Sequence, residues 1–543
     1  MSLPQNILEA SERLLEYHRS SKLDERTPAP APDVRTKPAM SWLFDFADKT
    51  PLASSLIDLP TGVLPLLTHG LEALPQSMHS PPQDLRTLST WLHMAAGNRQ
   101  RVATPWGQAH TRGVASVDLA YCDEIYVAAF AIDGLEPGFY HYSPREHALR
   151  KLRDVAEALS MLRRGRPDLQ FLATIPCALL VSTVFSRSSW LHGRRGYRKS
   201  VIEAGQMVAN LHAVAMALGM STHVRLRMTD SCMRELIGLP EDYDYASAEA
   251  VQSMLAWTDG AHKPLEVPPR PPPGALYTIP RPVSGKVPVP FGSIIAAHRD
   301  ACAVGVAIRE IHPPMTDLTP VPSSVNMQRL AVASEDVANR SLRSVLLQSQ
   351  VITEFKPRPL SRNAMARIVQ CAFRGGTFFP LKPEGAHVAL VRPFWVMQDI
   401  VGFEPGIWWY DPVIDHWVLL NRGQYRTETG VFTRQKELLA GASAVCVMVA
   451  NLRVLLGEAG PDLYRLSLLE AGVAAQRLSL AACSVGMASL TFADFADDLW
   501  RGFLGLGSTG WEPLAVCAIG GAPDIPGKTV EPMSGGSSLE FRD

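Results

Sequence analysis

Residues 197–220 read YRKSVIEAGQMVANLHAVAMALGM, and residues 464–487 read YRLSLLEAGVAAQRLSLAACSVGM. The two stretches align without a gap at an offset of 267 residues. They share Tyr-Arg, a Ser two positions later, Glu-Ala-Gly and a terminal Gly-Met. Similarity at a fixed spacing is the signature of a duplicated structural unit. The repeat therefore predicts that the chain contains two related halves.

A second pair of segments supports this duplication. Residues 133–152 read DGLEPGFYHYSPREHALRKL, and residues 400–420 read IVGFEPGIWWYDPVIDHWVLL. Glu-Pro-Gly recurs at an offset of 268, followed by aromatic residues and Tyr-x-Pro. Because Pro-Gly favours a tight reversal, the flanking apolar runs are predicted to form an antiparallel hairpin in each half. Strands and helices in this order predict an α+β fold.

The repeated stretch has the pattern of a helix with one apolar face. Apolar residues recur at alternating spacings of four and three, and many of them are Ala. Gly205 and Gly472 lie beside this face, and small residues let two helix backbones approach closely. Each helix could line its own core, or the two could pack on each other about a pseudo-twofold axis, as in homodimers. The second arrangement predicts two fused domains that form an intramolecular pseudo-dimer.

Composition shifts divide the chain into two lobes. Lobe one is predicted at residues 1–261 and lobe two at residues 331–530. Residues 262–330 form a Pro-rich linker and extension, because proline at such density favours extended backbone over a packed core. Residues 531–543 are predicted to be a C-terminal tail.

Overall composition excludes several classes of protein. The chain has 543 residues and a net charge of −1, so no basic surplus indicates nucleic-acid binding. Its longest apolar run, residues 171–185, is too short to span a bilayer, and the N-terminus lacks a signal-peptide core. We therefore expect a cytoplasmic protein. The 8 cysteines include no C-x-x-C, so neither a metal site nor a disulfide framework is predicted.

The two repeated motifs together resemble those of the nitroreductase-like flavoproteins. The similarity covers most of both lobes and is strongest to the SagB-type azoline dehydrogenases. It implies an FMN-dependent enzyme that oxidises thiazoline or oxazoline rings in ribosomally made peptides. It also implies a modified precursor peptide as substrate and a cyclodehydratase as a candidate partner, with a monomer acting as pseudo-dimer or a higher homo-oligomer. Two alternatives remain open: a general NAD(P)H-dependent oxidoreductase, and a catalytically degenerate scaffold subunit of a peptide-modifying complex.

The resemblance also implies where FMN would bind. In this family each FMN lies between two subunits, one supplying basic and hydroxyl groups to the phosphate and the other a small-residue loop to the ring. These roles fall on His18, Ser20 and Lys22 of lobe one and on Gly375, Gly376 and Thr377 of lobe two. The counterparts depart from the pattern, because residues 347–355 lack the basic residues and Asp118 stands at an expected glycine. We therefore expect one FMN per chain.

Other contacts are implied by the same resemblance. Val224 and Arg225, in the segment after the first helix, are expected beneath the flavin, and Arg198 could reach the phosphate, with Arg465 equally eligible. The peptide oxidases carry Lys-Tyr just before G-x-R-x-YR, and lobe one has Leu191 and His192 at those places. His192 is the candidate catalytic base, since imidazole titrates near neutral pH. A surface histidine without a catalytic role is the alternative.

Overall fold

The computed structural model describes most of the chain. The described residues are 3–23, 32–104, 106–114, 118–165, 174–239, 248–260, 278–281, 292–302, 327–329, 337, 339–348, 351–374, 389–412, 415–492, 494–507 and 509–523. The predicted residues Gly375, Gly376 and Thr377 lie outside these ranges, as does the predicted tail.

A seven-stranded antiparallel sheet forms the centre of lobe one. The strands of this lobe are β1 Lys49–Pro51, β2 Arg101–Thr104, β3 Gly107–His110, β4 Asp123–Ala129, β5 Gly138–Ser143, β6 Ala148–Asp154, β7 Cys177–Val184, β8 Thr222–Arg225 and β9 Glu249–Trp257. The sheet runs in the order β1-β6-β5-β4-β7-β9-β8, while β2 and β3 pair separately. The central strands β4, β7 and β9 are buried along their full lengths.

Lobe two repeats this sheet strand for strand. Its strands are β10 Met327–Arg329, β11 Leu360–Ser361, β12 Arg392–Met397, β13 Ile400–Val401, β14 Gly406–Asp411, β15 His416–Arg422, β16 Ala444–Asn451, β17 Met487–Phe492 and β18 Trp511–Gly521. Their order is β10-β15-β14-β12-β16-β18-β17. Register shifts also recur, between Phe139 and Tyr140 in lobe one and between Ile407 and Trp408 in lobe two. The α+β fold with two fused, related domains is thereby confirmed.

The predicted hairpins follow the two Glu-Pro-Gly turns. In lobe one, Ala129 pairs with Gly138, and in lobe two Met397 pairs with Gly406. Both glycines begin the second strand of the hairpin directly after proline. The same turn chemistry therefore joins the same two strands in each lobe.

Fifteen α-helices surround the two sheets within the described ranges. They are α1 Gln5–Ser20, α2 Val63–His69, α3 Leu85–Ala96, α4 Val155–Gly165, α5 Phe185–His192, α6 Gly196–Ala217, α7 Asp230–Leu236, α8 Gly292–Cys302, α9 Leu342–Leu347, α10 Arg362–Phe373, α11 Arg426–Val431, α12 Lys436–Ala440, α13 Leu452–Val454, α14 Asp462–Ser484 and α15 Asp497–Phe503. The repeated sequence of the opening forms α6 and α14. Gly219 and Gly486 follow them with φ of 79° and 80°. This left-handed conformation ends each helix at low steric cost because glycine lacks a Cβ.

The two repeated helices pack on each other at Gly205 and Gly472. A Cβ added to Gly205 would overlap the carbonyl oxygen of Leu469, and one added to Gly472 would overlap that of Ile202. Each added Cβ would also lie 3.0 Å from the Cα of the other glycine. The predicted pseudo-dimer arrangement is therefore confirmed, and we call this α6–α14 contact the seam. The largest hydrophobic core is continuous through it, with Leu211 from one lobe and Leu478 from the other.

The segment predicted as linker and extension contains a helix of its own. Helix α8 lies within residues 262–330 and packs against α1, where the exposed Arg13 forms an ion pair with Asp300 at 2.6 Å. His298 of α8 contacts Tyr197 of α6, just as His18 of α1 contacts Tyr464 of α14. Helix α8 is therefore the lobe-two counterpart of α1, and residues 347–355 are not, contrary to expectation.

Within the described part of the chain, each helix is either too short or too polar to cross a membrane.

The seam leaves no room for a methyl group at its centre. Gly472→Ala is expected to destabilise the fold by about 1–3 kcal/mol, because overpacking must push the two helix backbones apart. The free energy of unfolding from urea titration measures this effect. Gly502→Ala in α15 is the matched control, since an added Cβ there meets no atom within 4 Å. A loss of stability no larger than that of Gly502→Ala would contradict the packing described.

Candidate functional site

The predicted phosphate residues lie at the end of α1, against lobe two. The His18 side chain is buried, and its Nδ1 lies 3.1 Å from the hydroxyl of Tyr464. Its Nε2 is 3.8 Å from a carboxylate oxygen of Glu512. Burial, reinforced by nearby Arg198, lowers the pKa of His18 to about 4. His18 is therefore neutral at pH 7.

Ser20 and Lys22 are engaged with other protein groups. The Ser20 hydroxyl donates to the carbonyl of Tyr17 within the same helix, at 3.1 Å. Lys22 Nζ lies 2.7 Å from a carboxylate oxygen of Asp498 and 2.8 Å from one of Glu512. Both carboxylates belong to lobe two, so Lys22 binds across the interface between the lobes.

A buried cluster of opposite charges adjoins these residues. Arg195 and Arg198 of lobe one both donate to the carboxylate of Asp497, the first residue of α15, and the Arg198 contact measures 2.7 Å. Burial alone would raise the pKa of Asp497, but the two guanidinium groups hold it below its usual range. Arg198 is 1% exposed, yet its Nε and Nη1 have no hydrogen-bond partner among the described residues. These two atoms are unpaired buried donors at the interface.

His192 lies in a second charged cluster on the same interface. Its Nε2 is 2.6 Å from Asp118 Oδ2, and its Nδ1 is 3.1 Å from Asp494 Oδ1 of lobe two. Lys199 also contacts Asp118, at 3.0 Å, and Glu203, at 2.6 Å. Burial opposes the charged imidazole, but the two carboxylates raise the pKa of His192 above its ordinary value. The two carboxylates therefore stabilise the protonated form of His192.

Val224 and Arg225, which were expected beneath the flavin, lie on β8 and pair with the neighbouring strand. They pair with Leu255 and Met254 of β9, and Val224 is buried. The following residue, Leu226, accepts a hydrogen bond from Arg465 Nη2 at 2.6 Å. Arg465 is thereby bound to backbone carbonyls, whereas Arg198 is paired with a carboxylate.

Helix α8 carries a second histidine cluster that the sequence analysis missed. His298 Nε2 lies 3.3 Å from Asp230 Oδ1, and Cys302 Sγ lies 3.6 Å from the same nitrogen. Burial opposes the charged form, but Cys302 and Asp230 raise the pKa of His298 to about 9. When α8 is aligned with α1 at His298 and His18, Cys302 is the counterpart of Lys22. The sequence feature that indicates this cluster is a His-Arg pair that occurs at 18–19 and again at 298–299. Its offset of 280 differs from that of the other repeats.

A cavity lies at the other end of α14 from these clusters. It has a volume of about 420 Å³ and lies near the C-terminal end of that helix. Lobe one contributes Gly113, and the other lining residues belong to lobe two; they include Arg340, Arg358 and Gly486.

Comparison with known proteins shows what the sequence and the fold resemble. Residues 124–251 match the model of the nitroreductase family. A candidate nitroreductase of Methanocaldococcus jannaschii is 29% identical over 165 residues, which cover 30% of this chain and 78% of that protein. The crystal structure of a candidate nitroreductase from Anabaena variabilis has a TM-score of 0.71 and 18% identity, covering 94% of this chain and 99% of that one. The fold is thus shared through both lobes.

The carboxylate of Asp497 is the only described acid that contacts both Arg195 and Arg198. Asp497→Asn is expected to destabilise the protein by roughly 3–5 kcal/mol, because two buried guanidinium groups lose their counter-ion. The neighbouring Asp498→Asn is the matched control, because its side chain is 69% exposed and its loss should cost under about 1 kcal/mol. Urea unfolding of both variants measures the difference, and equal effects would contradict the cluster's role.

The charge on His192 predicts a pH-dependent contribution to stability. Because its pKa is raised in the folded state, its stabilisation is fully present below the unfolded pKa and is lost as pH rises through the folded pKa. His192→Gln should therefore cost roughly 2 kcal/mol in mildly acidic buffer and less in alkaline buffer. Urea titrations of wild type and variant at both pH values test this, with the exposed His69→Gln as control. A cost that grows with pH would contradict the assignment.

Proposed function

We propose that this protein is an FMN-dependent oxidoreductase that oxidises azoline rings to azoles in a ribosomally made peptide. The observation that carries the proposal is the nitroreductase family match within a fold that builds the same architecture twice about one seam. The narrower substrate class is supported by the motifs YR-x-S-x-x-EAG and Glu-Pro-Gly with Tyr-x-Pro, which resemble the SagB-type branch. A cyclodehydratase that forms the azoline is the partner this reaction requires.

One position at the interface between the lobes is suited to an anionic cofactor. Arg198 would hold the phosphate, because its Nε and Nη1 are buried donors without a partner among the described residues. His18, neutral and adjacent, would contribute a hydrogen bond and no charge. Lys22 fits less well, since two carboxylates already bind it. Gly375, Gly376 and Thr377 stay as proposed contacts to the ring.

FMN, when bound, supplies a ring that accepts a hydride. Aromatising an azoline also removes a proton, so a base must lie within hydrogen-bond reach. The protonated imidazole of His192 is hydrogen-bonded to Asp118 and Asp494. It can accept a proton from the azoline only after it has lost one of its own. We therefore assign proton removal to this three-residue group, active above the folded pKa of His192. The rate of the reaction should accordingly rise with pH through that value.

The acids around Lys22 favour a second candidate function. Asp497, Asp498 and Glu512 place three carboxylates where a phosphate was expected. Like charges repel, so this arrangement also suits a protein that binds no flavin and acts as a scaffold subunit of a peptide-modifying complex.

Flavin content separates the two candidates. We expect the purified protein to hold one FMN per chain, seen as visible flavin absorbance and released on denaturation. Arg198→Met should weaken FMN binding at least tenfold, since it removes the unpaired donors. Arg19→Met is the control, because the Arg19 side chain is exposed and its only ion pair among the described residues is with Glu16. A colourless protein that cannot be reconstituted with FMN would reject the oxidoreductase and favour the scaffold.

Product analysis then tests the substrate class. An azoline-bearing peptide incubated with the flavin-loaded protein should lose two hydrogens by mass spectrometry. Consumption of NAD(P)H with small quinones or nitro compounds, and no change in the peptide, would instead indicate a general nitroreductase.

A further inference from the structure

The cavity at the end of α14 has a cationic rim. Arg340 and Arg358 line it, and none of its sixteen described lining residues is an aspartate or glutamate. Arg340 Nη1 donates to Gln348 Oε1 at 2.7 Å, and Arg358 Nη1 donates to the carbonyl of Gly486 at 2.9 Å. Neither guanidinium forms an ion pair with a carboxylate in the part of the chain that the structure describes. Both charges are therefore available to an anion, unlike that of Lys22.

The inner wall of the cavity carries unpaired polar atoms. Gln476 and Ser489 are 1% and 5% exposed, and Gln476 Oε1 and Ser489 Oγ have no hydrogen-bond partner among the described residues. The amide nitrogen of Gln476 is already bound, donating to Asn210 Oδ1 at 3.1 Å. A buried polar atom without a partner costs about 1–3 kcal/mol. A ligand with hydrogen-bond donors would relieve this cost.

The described residues at the equivalent position of lobe one are packed closely. At the end of α6, the carbonyl of Gly219 accepts a hydrogen bond from the backbone of Ser80 at 3.0 Å, and a Cβ on Gly219 would overlap Met78. At the end of α14, the atoms nearest to a Cβ on Gly486 are guanidinium nitrogens of Arg358 and Arg340, at 3.5 and 3.6 Å. Among the described residues, the two ends therefore differ: Gly219 is covered by residues 78–80, whereas Gly486 borders the cavity.

The cavity is also remote from the clusters at the interface. Tyr464, beside His18, is near the start of α14, and Cys483, which lines the cavity, is near its end. At about 1.5 Å of rise per residue, the two are separated by roughly 28 Å along the helix. A ligand in the cavity is thus distinct from a cofactor held by Arg198.

We propose that this cavity is a second binding site, for a small ligand that carries a phosphate or a carboxylate. The anion lies between Arg340 and Arg358, where charge-assisted hydrogen bonds hold it. Donor groups on the rest of the ligand face Gln476 Oε1 and Ser489 Oγ. The site does not depend on the proposed flavin chemistry.

Inorganic phosphate and succinate serve as probes of the two anion types. We expect the full-length protein to bind at least one of them by isothermal titration calorimetry at constant ionic strength. The double variant Arg340→Gln/Arg358→Gln should bind it at least tenfold more weakly. Arg343→Gln is the matched control, because Arg343 follows Arg340 closely, at the start of α9, but pairs with Asp58 and does not line the cavity. Binding of phosphate alone or succinate alone identifies the anion that the site selects.

Three results would overturn the proposal. They are an absence of binding of both probes at millimolar concentration, equal binding by the double variant, and loss of FMN from the double variant. The last would show that the site is not separate from the cofactor. If the double variant does not fold, Ser479→Leu replaces it, since this change fills the cavity and keeps both arginines. Unchanged probe binding by that variant would equally reject the site.

Discussion

The contact between Gly205 and Gly472 is the constraint on which the rest of the structure depends. Because neither residue has a Cβ, helices α6 and α14 meet backbone to backbone. All of α6 and nearly all of α14 are buried in consequence. A helix enclosed on every side cannot expose its charged residues to solvent. The charges on α6 must therefore find partners inside the protein, and Arg198 finds one in the other lobe.

This requirement explains why the interface holds such dense electrostatics. Arg198 reaches Asp497, and His192, just before α6, reaches Asp494; both acids belong to lobe two. Breaking such a buried pair by removing one partner is costly, so the pairs fix how the lobes sit together. The same enclosure leaves two donor atoms of Arg198 unpaired, which is the feature that best suits an anionic cofactor.

The two lobes share one backbone architecture, but side chains at equivalent positions differ between them. The strand order and the positions of register shifts are the same in both lobes. At the ends of the equivalent helices α1 and α8, however, lobe one carries Lys22 and lobe two carries Cys302. The described cavity, likewise, lies beside Gly486 of lobe two, whereas the equivalent Gly219 of lobe one is covered by residues 78–80. The asymmetry therefore lies in loops and side chains, while the core is symmetric.

The sequence predicted the fold well because the repeats and their spacing reflect the core. The two long helices, the Glu-Pro-Gly hairpins and the buried strands all follow from local periodicity and turn chemistry. The site was harder to predict, because its partners are distant in sequence: nothing near Lys22 indicates that Asp498 and Glu512 will bind it. The counterpart of α1 was misplaced because the connection from α8 to α14 is shorter than that from α1 to α6, which shifts the offset from 267 to 280. The cavity could not be predicted, since it depends on how Arg340 and Arg358 pack at the end of α14.

Co-expression of the two halves as separate chains tests the central claim most directly. Residues 1–261 and 262–543, purified through a tag on one of them, should form a single complex in a one-to-one ratio by light scattering. Each half alone should aggregate, because α6 or α14 would expose a surface that is buried in the intact chain. Two halves that each fold as stable, independent monomers would contradict an account in which the seam holds the molecule together.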